Sequence, residues 1–314
     1  MPNKTMNTRL PSNPLLKAVF LALSSALGLS VAGNEENFQK YAMFLNSSER
    51  AKPAAPVKTT LPLALPNDTR IALVGNTLFD RMRDFGHFEA ILQKAHPKLN
   101  LVLRNLAWSA DEVDLQPRPS NFADDDQHLT AMKADLILAA FGFNESFAGK
   151  DGLKDFAVRL SAYLKELKSK AYNSKNAPMV VLVSPIPNEN VKGVAAADQN
   201  NANIKAYSQV MQKVAKEQKV AFVNLLSPLE EIMAAEDSDL TMNGCHLNEK
   251  GYDLFAKTLF GLLFDKPSPS ISSKLRAAVV EKNNNIFTDT APSIPFTTRV
   301  DETAPTATST FYRP

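Results

Sequence analysis

The 314-residue sequence is short of the residues that build disulfide frameworks and metal centres. Cys245 is its single cysteine, which excludes an intramolecular disulfide framework and a cysteine-rich zinc site. It has only four histidines, and they do not show metal-ligand spacing. Glycine is also scarce, with 11 residues, and no glycine-rich phosphate-binding pattern occurs. We therefore expect neither a bound metal nor a cofactor.

The chain also lacks a strong excess of either charge. It has 35 Lys and Arg residues against 33 Asp and Glu residues, and no basic cluster that could neutralise a row of phosphates. Nucleic acid is therefore not an expected partner. The hydrophobic fraction of 44% is sufficient for a sizeable core, so disorder throughout the chain is excluded.

No apolar run is long enough to span a bilayer comfortably, but residues 1–33 have the pattern of a secretory signal. Its basic residues are Lys4, Arg9 and Lys17. The apolar run Ala18–Leu29 follows, and small residues precede Gly33. We expect a periplasmic or secreted protein with no stable membrane span after signal cleavage. An uncleaved N-terminal anchor is the alternative.

Composition divides the rest of the chain into three parts. Residues 34–68 are mixed and then rich in proline and alanine, which predicts a linker. Residues 69–265 have the length and pattern of one globular domain. Residues 266–314 have low complexity and many prolines, which predicts a mostly extended tail with one helical stretch at Ser273–Lys282.

Strand and helix patterns alternate within the predicted domain. Five short aliphatic runs predict strands at Arg70–Val74, Leu99–Arg104, Ala134–Ala140, Met179–Val183 and Val220–Asn224. Segments of helical period separate them, and the last predicted helix runs over Glu249–Leu263. Strands that are apolar on both faces indicate a five-stranded parallel sheet in a three-layer α/β/α, flavodoxin-like fold. Ligands of such sheets bind beyond the carboxyl ends of the strands.

Polar residues follow these strands in four blocks. The blocks are Gly75-Asn76-Thr77, Asn105-Leu106-Ala107-Trp108-Ser109-Ala110-Asp111, Gly142-Phe143-Asn144-Glu145 and Asn243-Gly244-Cys245-His246. Their order and spacing resemble those of the SGNH (GDSL-type) hydrolase family over roughly residues 70–263. Alanine stands at both glycine positions of the second block.

The resemblance implies a role for each block in ester hydrolysis. Thr77 stands at the nucleophile position, His246 at that of the base and Asn243 at that of the group that orients the base. The N–H of Ala110 and the side chain of Asn144 stand where the family binds the oxyanion. We assign substrate-binding roles to Trp108 and Glu145. The Trp108 ring could stack on a sugar or acyl group, and burial of the ring over the sheet edge is the alternative.

Two of these residues depart from the family pattern. Thr77 is a secondary alcohol whose additional methyl group restricts its rotamers and hinders attack. Asn243 can orient an imidazole but cannot stabilise an imidazolium by charge. The sequence therefore supports two functions. The first is an exported hydrolase of O-acyl esters, with a small-molecule or glycan ester, such as an acetylated carbohydrate, as substrate. The alternative is a catalytically impaired domain that binds a ligand or carbohydrate.

Simpler interpretations compete at several positions. Thr77 could be the N-cap of the following helix. Cys245 is adjacent to His246, but neighbouring side chains usually diverge, so a Cys/His dyad is disfavoured. Ser109 and Ser184 are weak alternative nucleophiles because neither follows the first strand. Residues 124–126, three consecutive aspartates, are expected to form a solvated turn rather than a cation site.

Overall fold

A computed structural model describes residues 43–290 of the chain, with side chains described as far as residue 285. The predicted signal segment and residues 291–314 of the predicted tail lie outside the described residues. Within residues 43–290, no helix combines the length and the apolar character that a membrane crossing requires.

A five-stranded parallel sheet forms the centre of the fold, as the strand pattern predicts. Its strands are β1 (Arg70–Gly75), β2 (Val102–Asn105), β3 (Leu136–Ala140), β4 (Met179–Val183) and β5 (Ala221–Val223). Their order across the sheet is β2-β1-β3-β4-β5, the flavodoxin-like arrangement. Gly75 at the end of β1 is paired with Ala140 at the end of β3, so both strands end at one edge.

Helices cover both faces of this sheet. They are α1 (Thr77–Asp80), α2 (Met82–Phe85), α3 (His87–Ala95), α4 (Asp125–Met132), α5 (Leu153–Leu167), α6 (Ala196–Gln218), α7 (Leu226–Ala235), α8 (Glu249–Phe264) and α9 (Ser273–Thr290). A 3₁₀ segment spans Glu145–Gly152. Two-residue strands pair at Lys52–Pro53 with Lys170–Ala171 and at Asn190–Val191 with Val194–Ala195.

Two hydrophobic cores lie on opposite faces of the sheet, which makes the fold a three-layer α/β/α structure. Because side chains alternate along a strand, Ile71 of β1 points into one core and Ala72 into the other. Helices α3 and α8 cover the first core, and α4, α5 and α6 cover the second. Strands buried on both faces explain why their sequences are continuous apolar runs.

The compact unit extends beyond the predicted domain on its N-terminal side, and it spans residues 43–286. Leu63 is buried, and its N–H donates to the carbonyl of Leu263 at 2.8 Å. The buried Thr59 hydroxyl accepts the N–H of Val180 at 2.9 Å. Prolines prevent a helix here but not packing, so the described part of the predicted linker lies against the domain.

The described part of the predicted tail also packs against the domain. Helix α9 is longer than the predicted Ser273–Lys282 stretch. Val279 is buried, and Arg276 pairs with Glu249 of α8 at 2.6 Å. Lys282 pairs with the buried Glu89 of α3. The low hydrophobicity of this segment gave no indication of this packing, in which Val279 and two ion pairs take part.

Candidate active site

A small pocket opens at the carboxyl edge of the sheet, where the predicted blocks meet. Thr77 and His246 line it together. Its volume of about 20 Å³ admits little more than one water-sized group. The other lining residues, which are mostly apolar, are Asn76, Leu78, Ala140, Phe141, Phe143, Pro185, Ile186, Cys245, Leu247 and Tyr252.

The turn between β1 and α1 fixes the position of Thr77. Gly75 has a φ of +127°, and a Cβ atom there would lie 2.0 Å from the carbonyl oxygen of Ala140. Asn76 is the N-cap of α1, and its Oδ1 accepts the N–H of Leu78 at 3.2 Å. The N-cap interpretation of Thr77 is therefore wrong: Thr77 is the first helical residue, and its hydroxyl does not cap the helix.

Ala110 donates its backbone N–H to Oγ1 of Thr77 at 3.1 Å. Its φ of +68° is left-handed, a conformation that costs a non-glycine residue about 1–2 kcal/mol. The loop is fixed on both sides, since Trp108 donates its N–H to the Gly75 carbonyl at 3.0 Å and Ser109 donates to Asp80. The loop thus directs a backbone donor at the Thr77 hydroxyl.

His246 is held by Asn243. Its Nδ1 lies 3.1 Å from Oδ1 and 3.0 Å from Nδ2 of that amide, and Oδ1 also accepts the backbone N–H of His246 at 3.0 Å. A proton on Nδ1, donated to Oδ1, leaves Nε2 free to act as a base. An amide can also donate to Nδ1, which would place the ring proton on Nε2. Asn243 therefore supports both tautomers, whereas a carboxylate would support only the first.

Burial and the nearby positive charge of Arg81 lower the pKa of His246 below its usual value. The imidazole is therefore neutral at neutral pH and able to accept a proton. Among the described residues, no hydrogen bond joins His246 to the Thr77 hydroxyl. Nucleophile and base share the pocket but are not in direct hydrogen-bond contact, a separation that unliganded active sites often show.

The sequence profile of the GDSL-like lipase/acylhydrolase family matches residues 71–254, more than half of the chain. The chain belongs to this family. Curated proteins give no sequence match. Among solved structures, a catalytic variant and a tryptophan-to-isoleucine variant of the acetylxylan esterase Axe2 from Geobacillus stearothermophilus superpose with TM-scores of 0.53 and 0.52. Each is 18% identical to this chain, covers 66% of it and is itself covered completely, so the likeness concerns the fold.

The two polar residues of the third block in this GDSL-like chain, Asn144 and Glu145, have different environments. Asn144 follows the pocket residue Phe143, and its side-chain amide has no hydrogen bond to any described residue. Glu145 is buried, and its carboxylate accepts the N–H groups of Val113 at 3.0 Å and Gly142 at 2.8 Å. The predicted substrate-binding role of Glu145 is wrong, because both of its oxygens join two backbone segments inside the protein.

Trp108 remains available at the surface. Its side chain is 39% exposed, the Arg118 guanidinium lies 4.6 Å from the centre of its ring, and Phe122 packs against its edge. Arg118 is held in turn by Asp111 at 2.6 Å. These contacts hold the indole without covering it completely.

The structure also tests the competing nucleophiles. Sγ of Cys245 lies 3.3 Å from Nδ1 of His246, so the expected divergence of these side chains is wrong. Burial nevertheless raises the pKa of the Cys245 thiol, which disfavours the thiolate. Ser109 donates to Asp80, and the buried Ser184 hydroxyl donates to the Pro185 carbonyl.

The aspartate run at residues 124–126 is part of α4 rather than a solvated turn. Asp124 is the N-cap and forms a reciprocal capping box with Gln127. Asp125 is half-buried near Arg118, and desolvation of its carboxylate raises its pKa to about 6. Within the described residues, no group of three or more His, Cys, Asp or Glu side chains could hold a metal ion.

Arg81 is a residue of this site that sequence reasoning missed. It lies four residues after Thr77, and residues at that spacing share a helix face. That spacing was the available signal, but Arg81 belongs to none of the family blocks.

Proposed function

We propose that this chain is an exported ester hydrolase that removes a small acyl group, such as acetyl, from a carbohydrate or small-molecule ester. The observation that carries the proposal is the Thr77 hydroxyl, which accepts the Ala110 N–H in a pocket lined also by His246. The pocket volume of about 20 Å³ and its apolar walls favour a small acyl group. The acetylxylan esterase fold of the similar structures agrees with this substrate class.

The proposed reaction begins with attack of Thr77 Oγ1 on the ester carbonyl carbon. Nε2 of His246 takes the hydroxyl proton. As Oγ1 bonds to the carbonyl carbon, the N–H of Ala110 exchanges Oγ1 for the oxyanion as its acceptor, and the side-chain amide of Asn144, which has no hydrogen bond to a described residue, donates to the oxyanion as well. One such donor contributes about 3 kcal/mol to transition-state stabilisation. His246 then returns the proton to the departing alcohol, and water, activated by the same imidazole, releases the acyl group from Thr77.

The rival function is ligand binding without efficient turnover. It is favoured by the amide of Asn243 and by the lack of a hydrogen bond between Thr77 and His246 in the described part of the chain. The pocket, the Ala110 donor and the exposed face of Trp108 would then serve recognition alone.

An esterase assay separates the two functions. We expect the folded protein to hydrolyse p-nitrophenyl acetate and acetylated xylan, and both His246→Ala and Thr77→Ala to reduce kcat by at least about a hundredfold, because each removes a group that participates in proton transfer or bond formation. Loss in His246→Ala alone would favour attack by water. A folded parent with no turnover on a range of acyl esters would favour the binding module.

A further inference from the structure

Arg81 places a guanidinium beside the proposed acyl pocket. Its backbone N–H donates to the carbonyl of Thr77 at 3.1 Å, so the two residues lie one turn apart on the same side of the chain. Its Nη2 lies 3.8 Å from Sδ of Met242, and the N–H of Met242 donates to the carbonyl of His246 at 2.8 Å. The guanidinium therefore spans from the Thr77 segment to the His246 segment.

The surroundings of Arg81 do not neutralise its charge. Its Cζ lies 5.8 Å from the centre of the Phe85 ring, and it adjoins the hydroxyl of the pocket residue Tyr252. Among the residues that the structure describes, no carboxylate lies within 4.0 Å of this guanidinium, and its buried Nε has no hydrogen-bond partner. The thioether of Met242, which is 56% exposed, is only a weak acceptor.

Two other arginines of the chain contrast with Arg81. Arg118 pairs with Asp111 at 2.6 Å, and Arg276 pairs with Glu249 at 2.6 Å. A guanidinium that lies beside an active site, with no carboxylate partner among the described residues, is suited to binding a planar anion, and a carboxylate matches its geometry in two parallel hydrogen bonds.

We propose that Arg81 binds a carboxylate on the alcohol part of the substrate, so that the preferred ester is an O-acetylated uronic acid of a glycan. This inference rests on the proposed function. The carboxylate is assigned to the sugar rather than to the acyl group because the acyl pocket is small and lined mostly by apolar residues, which disfavours a charged group inside it. Arg81 is then a specificity residue outside the four sequence blocks.

The test compares two esters that differ only in the carboxylate: O-acetylated methyl galacturonoside and O-acetylated methyl galactoside. We expect the protein to prefer the uronide by at least about tenfold in kcat/KM, mainly through KM. Arg81→Gln should abolish the preference, and Arg81→Lys should retain part of it. Lys165→Gln, which removes a charge from the exposed face of α5, should leave it unchanged. A succinyl ester of methyl galactoside should show no preference that depends on Arg81.

Binding of the unesterified methyl galacturonoside, measured by ligand-observed NMR, separates failure of this inference from failure of the proposed function. Binding that Arg81→Gln removes, without hydrolysis of any ester, would overturn the esterase and retain the carboxylate site. Equal hydrolysis of both esters by the parent and by Arg81→Gln would overturn the carboxylate site and retain the esterase. A preference for the succinyl ester would move the carboxylate to the acyl group and overturn its assignment to the sugar.

Discussion

At Thr77, a single hydrogen bond shapes the chemistry that the residue can perform. The Ala110 N–H occupies one lone pair of Oγ1, which leaves the other lone pair and the hydroxyl proton for a carbonyl and a base. The additional methyl group restricts how the hydroxyl can rotate toward His246. At the other end of the site, Asn243 orients the imidazole without the charge that would stabilise its protonated form.

Replacement of Thr77 and Asn243 by the serine and aspartate of the family pattern should therefore increase esterase activity. We expect Asn243→Asp to raise kcat by at least about tenfold, because a carboxylate fixes the Nδ1–H tautomer and stabilises the imidazolium. Thr77→Ser should add a smaller gain, and the double variant should be the most active. The same carboxylate raises the pKa of His246, so the acid limb of the pH profile should move to higher pH.

Steady-state kinetics on p-nitrophenyl acetate over a range of pH measures both effects, with Asn224→Asp as a matched control. Asn224 is exposed, and its Oδ1 accepts the N–H of Leu226 at 3.0 Å, a hydrogen bond that an aspartate carboxylate also accepts. A folded double variant with no more activity than the parent would contradict the esterase and support the binding module.

The turn between β1 and α1 determines the geometry of the candidate active site. Gly75 lies against the backbone of Ala140 where the two strands end, and Asn76 caps the helix directly after it. The close approach of β1 and β3 thus determines where the Thr77 hydroxyl lies. Only glycine permits both the positive φ of +127° and this approach.

Gly75→Ala should lower the free energy of unfolding by more than about 2 kcal/mol, because the new Cβ would meet backbone that cannot move independently. Gly261→Ala is the matched control: Gly261 lies inside α8, and its new Cβ would have only an ordinary contact at 3.7 Å. Alanine should stabilise that helix by about 0.5–1 kcal/mol. Urea unfolding measures both changes in the free energy of unfolding. Equal effects of the two substitutions would contradict the requirement for glycine at position 75.

The elements show what sequence patterns reveal and what they conceal. The strands were predictable because burial on both faces leaves continuous apolar runs. The segment after Thr77 was expected to form a helix but forms three short ones, with breaks at Arg81 and at Gly86, whose φ is +69°. Asn76 and Thr77 are both good N-cap residues, and only their backbone conformations decide between them.

Glu145 and Arg81 illustrate the same limit at the site. Carboxylates usually lie at the surface. The side chain of Glu145 points inward because its carboxylate accepts two N–H groups that the fold brings together from separate segments. The sequence around Arg81 does not indicate that its guanidinium has no carboxylate partner among the described residues, because that depends on which residues pack around α2. Sequence blocks identify residues by position, whereas these two roles depend on three-dimensional neighbours.

At the scale of the molecule, the described segments outside the predicted domain stabilise it. Thr59 and Leu63 bind the backbone of β4 and α8, and α9 packs against α3 and α8. In the contact between α9 and α3, Lys282 forms an ion pair with the buried carboxylate of Glu89. Burial raises the pKa of Glu89, and the charge of Lys282 opposes that rise.

Lys282→Ala should destabilise the fold by about 1–3 kcal/mol at pH 8, because it leaves an ionised carboxylate buried without its cation. The loss should be smaller at pH 5. Without Lys282 the pKa of Glu89 rises further in the folded state, so protonation removes the uncompensated charge as the pH falls. Thermal and urea unfolding at both pH values measure the difference.

Lys257→Ala provides the control for that experiment, since its pair with Asp253 lies on the exposed side of α8. It should change the unfolding free energy by no more than about 0.5 kcal/mol at either pH. A loss in Lys282→Ala that does not depend on pH would mean that α9 is held by packing of Val279 rather than by the ion pair.

A covalent bond between Thr77 and the acyl group is detected most directly by mass spectrometry of the protein quenched with acid during turnover of p-nitrophenyl acetate. We predict an acetyl group on the peptide that contains Thr77, absent from Thr77→Ala and strongly reduced in His246→Ala. Turnover accompanied by acetylation of Ser109 or Cys245, or by no acetylated Thr77 at any quench time, would contradict the account.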